Sequence, residues 1–543
     1  MKISTFLALF ILIALVISCQ PKKNHQPISH QSPLSLPKLR LSISQEPPTL
    51  DPRKGGDVTS SYMHFLLFEG LTRLNSDGTI TPAQAQSIDI SSDGLTYTFH
   101  LRDTLWSNGD PVTAHDFEYA WKKILDPLFP APNAHLLYPI KNALAAKQGT
   151  LPSDQICIQS IDAHTLLVRL EQPTPYFLDL ISFCVFFPVH HRIDQLYPNW
   201  DRDAEPHFVS NGPYQLKHWK HENELSLRRN SHYWDQPHIH AEKIHISMIH
   251  CPITALQMFE KGKLDLLGSS ISPLPADALP TLYQQGKVKK QPVPASTIIS
   301  FNTLQFPFNN VHIRKAFSAA INRQEIVSHI TQMSEPTTTQ IIPPLLKQKF
   351  HALSPTPPAD PESDPQQLLQ KGLSELGITF VDLPEIVYYY PATDSHHKIA
   401  QAIQAQILIT LGIHLKLEKV ETKLFLDKLI KRNYAIAQTT WIAQYHDPMS
   451  ILERFKFKNN PKNYSNWENA DYIRLLNQSA FETGAARLAL LEQAEALFMN
   501  EMPITPIYHW EFSYIVQPYL AHMELSPIGD LCYETVQTPG AEN

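Results

Sequence analysis

Between Tyr97 and Leu101 apolar and polar residues alternate, with Tyr97, Phe99 and Leu101 on one face, the two-residue period of a half-buried strand. Ser107-Asn108-Gly109-Asp110-Pro111 then concentrates turn-forming residues. Beyond the turn, Phe117, Ala120, Trp121, Ile124 and Leu125 recur at i, i+3, i+4, i+7 and i+8, the apolar stripe of a helix. Thr113 is placed to cap that helix, Asp116 favours its positive end, and Asp126-Pro127 stops it.

Comparable signals run along the rest of the chain. Leu39 to Ile43 alternates like a first strand, Phe65 to Leu71 is apolar, and Asn75-Ser76-Asp77-Gly78 is a turn. Ile161 to Leu170 reads as a strand and Thr254 to Phe259 as a short helix before Gly262. Residues 311–321 read as a helix capped by Asn310. Ser334 to Pro365 is dense in proline and reads as irregular surface chain. Lys398 to Leu411 forms a helix stopped by Gly412, and Ile413, Leu415 and Leu417 alternate as the next strand. Arg487 to Met499 is a further amphipathic helix, ended before Met502-Pro503. No internal repeat interrupts this mixture. It predicts an α/β or α+β body with discontinuous lobes, and 543 residues are too many for one ordinary core.

The amino terminus has a different pattern. Lys2 precedes an apolar run from Phe6 to Ile17, shorter than the roughly 20 residues that span a membrane. Val16-Ile17-Ser18-Cys19 follows and is similar to a bacterial lipobox, although Ile17 is bulkier than the usual occupant of its place. That resemblance implies a signal peptide over 1–18 and a lipid on Cys19; the plain alternative is an ordinary signal peptide with an incidental cysteine. Gln20 to Pro37 is polar and proline-bearing, as expected of a tether over 19–37. The expected location is therefore the periplasm or cell surface, on a bacterial membrane. Export permits disulfides, but Cys157, Cys184, Cys251 and Cys532 are too scattered to predict pairing; free thiols and two bridges both stay open.

Composition narrows the chemistry. A net charge of −7 lacks the basic footprint of a nucleic-acid surface. With 17 glycines against 45 prolines, no glycine-rich phosphate cradle occurs, nor does any G-x-S-x-G elbow, H-E-x-x-H pair or dinucleotide loop. No carboxylate pair stands out as an acid/base couple, which disfavours a secreted hydrolase. His232, His238, His240, His245 and His250 crowd one region, and on a strand His238 and His240 would share a face. Without cysteines or an i, i+4 pair they read as solvated edge histidines, so no metal and no cofactor is expected.

Several motifs together resemble one family along nearly the whole mature chain. They are Glu46-Pro47-Pro48-Thr49-Leu50-Asp51-Pro52, Leu67-Phe68-Glu69-Gly70-Leu71, the segment from Tyr97, Asn211-Gly212-Pro213-Tyr214 and Tyr233-Trp234. Phe301-Asn302, Pro307 to Val311, Arg314 and the run Trp441 to Pro448 complete the set. In order and spacing they are similar to the large periplasmic-type solute-binding proteins of oligopeptide ABC importers. The resemblance implies an α/β, three-lobed periplasmic-binding-protein-like fold with mixed sheets, the ligand enclosed between lobes. Lobe I would comprise 38–68, 193–295 and 511–543, lobe II 69–192 and lobe III 296–510.

It also implies a monomeric, non-enzymatic receptor that closes on an extended peptide and delivers it to a membrane permease. Peptide backbone would pair with strand segments, so affinity would not depend on side chains. By position, the partners would be Gly56-Asp57-Val58 on one side and Thr440-Trp441-Ile442 on the other, with Trp441 a pocket wall and His396 a polar contact. Relatives place an aspartate three residues after the loop tryptophan to pair with the peptide's α-ammonium; here Gln444 stands there. An amide cannot compensate a buried cation. Either Asp447 or Asp57 supplies the carboxylate, or the ligand lacks a free amine, or free-amine peptides bind weakly. Gln438 and Leu429 also stand where broadly specific relatives can carry arginines. The alternative ligand is therefore a modified or non-peptide solute: a blocked or wall-derived peptide, or a metal chelate. A surface interaction protein that kept the fold but lost transport is the remaining class.

Overall fold

The computed structural model describes residues 38–268, 271–332, 335–350, 364–520, 523, 525 and 526. The expected signal peptide and tether, with Cys19, and also Cys532 and the prolines from Pro355 to Pro361, lie outside these residues. Among the described residues no helix is long and apolar enough to cross a membrane.

The architecture is mixed α/β, as the pattern predicts. The first sheet has the order β1-β10-β9-β8, formed by Leu39–Ile43, Lys243–Met248, Glu224–Arg229 and Tyr214–Lys220. Strand β1 pairs parallel with β10, Leu41 opposite Ile246, so chain segments 205 residues apart share one sheet. A hairpin, β2 (Thr72–Leu74) with β3 (Ile80–Pro82), precedes a second sheet. That sheet has the order β4-β5-β7-β6, formed by Ala85–Ile90, Thr96–Leu101, Thr165–Arg169 and Ile158–Ser160. The third sheet has the order β11-β16-β12-β15-β13-β14. Its strands are Leu266–Leu267, Ile504–Val516, Lys289–Phe301, Ile436–Ile442, Ile386–Pro391 and Leu415–Val420.

Local chemistry explains most of these elements. In β5 the residues on the predicted face, Tyr97, Phe99 and Leu101, are the buried ones. The helix Ala114–Ile124 buries Phe117, Ala120, Trp121 and Ile124 completely, and the Asp116 carboxylate accepts the Thr113 N–H at 2.9 Å. Asn310 caps Val311–Ala319 by accepting two backbone N–H groups. The helix Asp394–Leu411 begins four residues before the expected start, because Thr393 caps it, and Gly412 ends it at φ +74°.

Three expectations need correction. The strand expected from Ile161 starts at Thr165, because Asp162 accepts the His164 N–H in a turn. Residues 335–350 are not surface chain: Ile341, Ile342 and Leu346 are fully buried, and Pro344–Phe350 is a short 3-10 helix. Proline density marked an irregular backbone there, but its apolar residues enter the core. His238 and His240 precede β10 rather than lying on a strand.

Three of the family motifs, Leu67 to Leu71, Asn211 to Tyr214 and Tyr233-Trp234, meet in one buried knot. Glu69, only 4% exposed, accepts from Gln84, Tyr233 and Trp234 side chains, and Asn211 bonds both polar atoms of the Glu69 backbone. Gly212 is required at this crossing, since a Cβ would lie 2.6 Å from the Phe68 nitrogen. Within the third sheet the two longest strands, β12 and β16, pair antiparallel. Their register breaks between Pro292 and Ser296, next to the boundary that the resemblance sets at 295/296.

Candidate functional site

Strand β15 has an unequal pair of edges. Against β12 it is paired along its whole length, from Phe301↔Ile436 to Ala295↔Ile442. Against β13 it is paired only at Ile436 and Ala437. Gln438 to Ile442 therefore present an edge with no strand beside it among the described residues, the geometry that accepts an added strand. Thr440 and Ile442 are partly exposed there, whereas Trp441 is 5% exposed. The Trp441 ring stacks on Tyr464 at 5.0 Å, and the Arg454 guanidinium lies 4.5 Å over it.

The chain then turns towards residues 55–58. Gln444 Nε2 donates to Asn133 Oδ1 at 2.9 Å, and Asn133 Nδ2 donates to the Gly55 carbonyl at 2.9 Å. Asn133 thus bridges the loop after β15 to the start of Gly56-Asp57-Val58, and the two predicted backbone segments face one seam. Asp57 caps the helix Val58–Leu67 by accepting the Ser60 N–H, and Val58 is 41% exposed. His396 lies apart from this chain of bonds; its Nδ1 is 2.6 Å from Thr393 Oγ1, and burial lowers its pKa.

Asp447 is committed elsewhere. Its carboxylate forms two 2.7 Å hydrogen bonds with Arg487 and a 2.8 Å ion pair with Lys349. Burial alone would push this carboxyl up, but Lys349 and Arg487 hold it at about 2. Lys349 also meets Asp179 at 3.1 Å, across the same seam. Tyr176 and Tyr445 stack there with ring centroids 5.3 Å apart, and Gly78 approaches His446 closely. Segments 69–192 and 296–510 are thus shut against each other.

The electrostatics around Gln444 are cationic. Burial, then Arg454, lowers Lys462 to about 8, and Arg454 is lowered by burial. His135 is lowered to about 3 by burial, then by Lys462 and Arg454, with the Gln444 amide opposing. Gln438 and Leu429 are fully enclosed, with Gln438 Oε1 accepting from Tyr388 at 3.4 Å. Asn133, Lys349, Arg454 and Arg487 carried no local signal in the sequence, because the seam contacts they make reach residues beyond their own element. The crowded histidines do not converge: His238 meets Asp235, His245 meets Glu224, and His250 meets the Ser44 carbonyl.

The profile of the Bacterial extracellular solute-binding proteins, family 5 Middle, matches residues 79–463. The oligopeptide-binding protein OppA of Bacillus subtilis is 37% identical over 498 residues, 91% of each chain. The crystal structure of Haemophilus influenzae OppA in complex with RPPGFSPFR superposes with a TM-score of 0.80 at 25% identity, covering 93% of this chain and all of that one. The Escherichia coli murein tripeptide binding protein MppA, 28% identical, superposes at 0.79 over 93% of this chain and 98% of its own. Its unliganded open form covers 93% and 96% and gives 0.72, in keeping with the shut seam described above.

Proposed function

Since the chain belongs to the bacterial extracellular solute-binding proteins of family 5, we propose that it captures oligopeptides outside the cytoplasm and delivers them to an ABC transporter permease. The observation that carries this reading is the edge of β15 from Gln438 to Ile442, which has no strand beside it among the described residues, although Arg454 donates to the Ile442 carbonyl, and which lies on the same seam as Gly56-Asp57-Val58. A peptide lying there would complete the ladder with its own backbone, so affinity would be largely independent of sequence. Contacts made by both sides stabilise the shut form, and binding shifts the population towards it. The site residues of this reading are Gly56, Asp57, Val58, Thr440, Trp441, Ile442 and Gln444, with His396 as a further polar contact.

Asp447 is not a free carboxylate for a peptide amine, since Arg487 and Lys349 take it up. The α-amine then meets Gln444, and Asp57 is the remaining candidate carboxylate of this reading. In this reading the body has three lobes, lobe I over 38–68, 193–295 and 511–543, lobe II over 69–192 and lobe III over 296–510, and the register break of β12 between Pro292 and Ser296 supports the boundary at 295/296. The receptor acts as a monomer, held to its membrane by a lipid on Cys19, and releases its ligand without chemical change.

Mass spectrometry of small molecules that co-purify with the protein tests the reading: a mixture of short peptides is expected. Titration with matched free-amine and N-acetylated peptides then separates the amine question. A strong preference for the free amine shows that Asp57 or another acid replaces the missing aspartate. Peptides recovered cleaved after prolonged incubation, or no peptide binding at all, would overturn the receptor reading.

A further inference from the structure

One group of metal-capable side chains stands apart from the peptide seam. Asp116, His190 and His191 each place a ligand atom within 4.8 Å of the others. Asp116 sits in the first turn of the helix Ala114–Ile124, and the two histidines open the short helix His191–Leu196. The partners came together from positions 75 residues apart, so no sequence spacing announced them.

The surroundings prepare these groups for a cation. His190 is 5% exposed, and its Nε2 lies 2.9 Å from Asp110 Oδ2. A carboxylate only accepts, so Nε2 carries the hydrogen and Nδ1 is left with a lone pair. That Nδ1 is buried and has no hydrogen-bond partner. An imidazole oriented through its far nitrogen by a carboxylate is the arrangement that supports metal-bound histidines. Asp116 is equally fixed, because its Oδ2 accepts the Thr113 N–H at 2.9 Å and the Trp106 indole at 3.4 Å. His191 Nδ1 lies 2.7 Å from Asp116 Oδ1. A cation bonded to both at roughly 2.0–2.1 Å needs these atoms about 3.3 Å apart in tetrahedral geometry. A swing of about 0.6 Å by the 28% exposed His191 side chain, from 2.7 Å to that separation, supplies it.

We propose that Asp116, His190 and His191 form a binding site for a divalent transition-metal cation of the zinc class. Two imidazoles and one carboxylate match the preferences of such ions, and calcium or magnesium would want oxygen ligands throughout. The fourth position stays open. His191 borders a cavity of about 660 Å³, shared with His115, Glu118 and Tyr119, through which the ion enters. If His191 is neutral, its hydrogen moves from Nδ1 to Nε2 on binding; if it is charged, one proton is released. The ion ties the helix Ala114–Ile124 to His190 and His191, away from β15, so it holds this part of the fold and does not select peptides.

Titration of EDTA-stripped protein with cobalt(II), followed by its ligand-field absorption, and zinc competition against a chromophoric chelator test the proposal. One equivalent is expected, with zinc raising the unfolding temperature of the wild type. H190A and H191A should each weaken binding at least tenfold and remove the thermal shift, and D110N should weaken it by about tenfold. H238A with H245A should change nothing, and peptide affinity should be unaltered throughout. If H190A does not fold, H191A decides, because that ring is partly exposed. Absence of a stoichiometric signal in the wild type, or unchanged binding in H191A, would overturn the site whether or not peptides bind.

Discussion

The hydrogen bond between Gln444 and Asn133 joins the loop after β15 to the opposite side of the seam, so its removal should act on closure. The perturbation is a double-mutant cycle of Q444A, N133A and the pair. A neutral bond of 2.9 Å contributes about 0.5–1.5 kcal/mol net. Asn133→Ala also strips the Gly55 carbonyl of its donor, which costs roughly a further 1–3 kcal/mol, but within one side of the seam. The cycle cancels that second contribution and leaves the cross-seam coupling. Since the peptide is held by the shut form, the coupling should appear in affinity: about 1 kcal/mol, or roughly fivefold in Kd. Isothermal titration with a tight-binding peptide measures it, and thermal unfolding of peptide-free protein should show little coupling. A coupling energy below about 0.3 kcal/mol in affinity lies within ordinary additivity and would refute the reasoning.

Two further outcomes follow from the charges at the seam. Asp447→Asn leaves Arg487 buried without its counterion and Lys349 with Asp179 alone, and urea unfolding should show a loss of about 3–5 kcal/mol; a change under about 1 kcal/mol would contradict the pairing. The stability this carboxylate contributes is present above its ordinary pKa of 3.8 and is lost as pH falls through about 2. His135 gives the opposite protonation behaviour, because its imidazole is neutral in the shut form. The open form takes up the proton near the ordinary pKa of 6.5, so closure is fully favourable above that pH and weakens below it. Peptide affinity at pH 5.5 should be about tenfold weaker than at pH 7.5. His135→Asn should flatten that slope, and an unchanged slope would assign the effect to other groups.

Local elements were legible because each carried its own period and its own stop. The segment from Tyr97 to Pro127 formed its strand and helix with the predicted face buried, and Gly412 ended its helix through a left-handed residue. What could not be read was anything made by distant partners. The Glu69 knot draws on residues 69, 84, 211, 233 and 234, so the motifs marked the family before their shared purpose was visible. Likewise Asp447 looked like a spare carboxylate until Arg487 and Lys349 were placed on it. The histidines that crowd residues 232–250 scatter to separate partners, whereas His190 and His191 meet Asp116 and Asp110 from far along the chain. Proline density between 334 and 365 spoke of backbone irregularity and not of exposure, as Ile341 and Ile342 show.

The central claim is that a peptide adds itself to the open edge of β15. Hydrogen exchange of the backbone amides between Gln438 and Ile442, with and without saturating peptide, tests it most directly. Peptide should slow exchange at amides that face away from β12 and at residues 56–58, while amides bonded to β12 change little. Tight binding with no added protection anywhere in Gln438 to Ile442 would contradict the account.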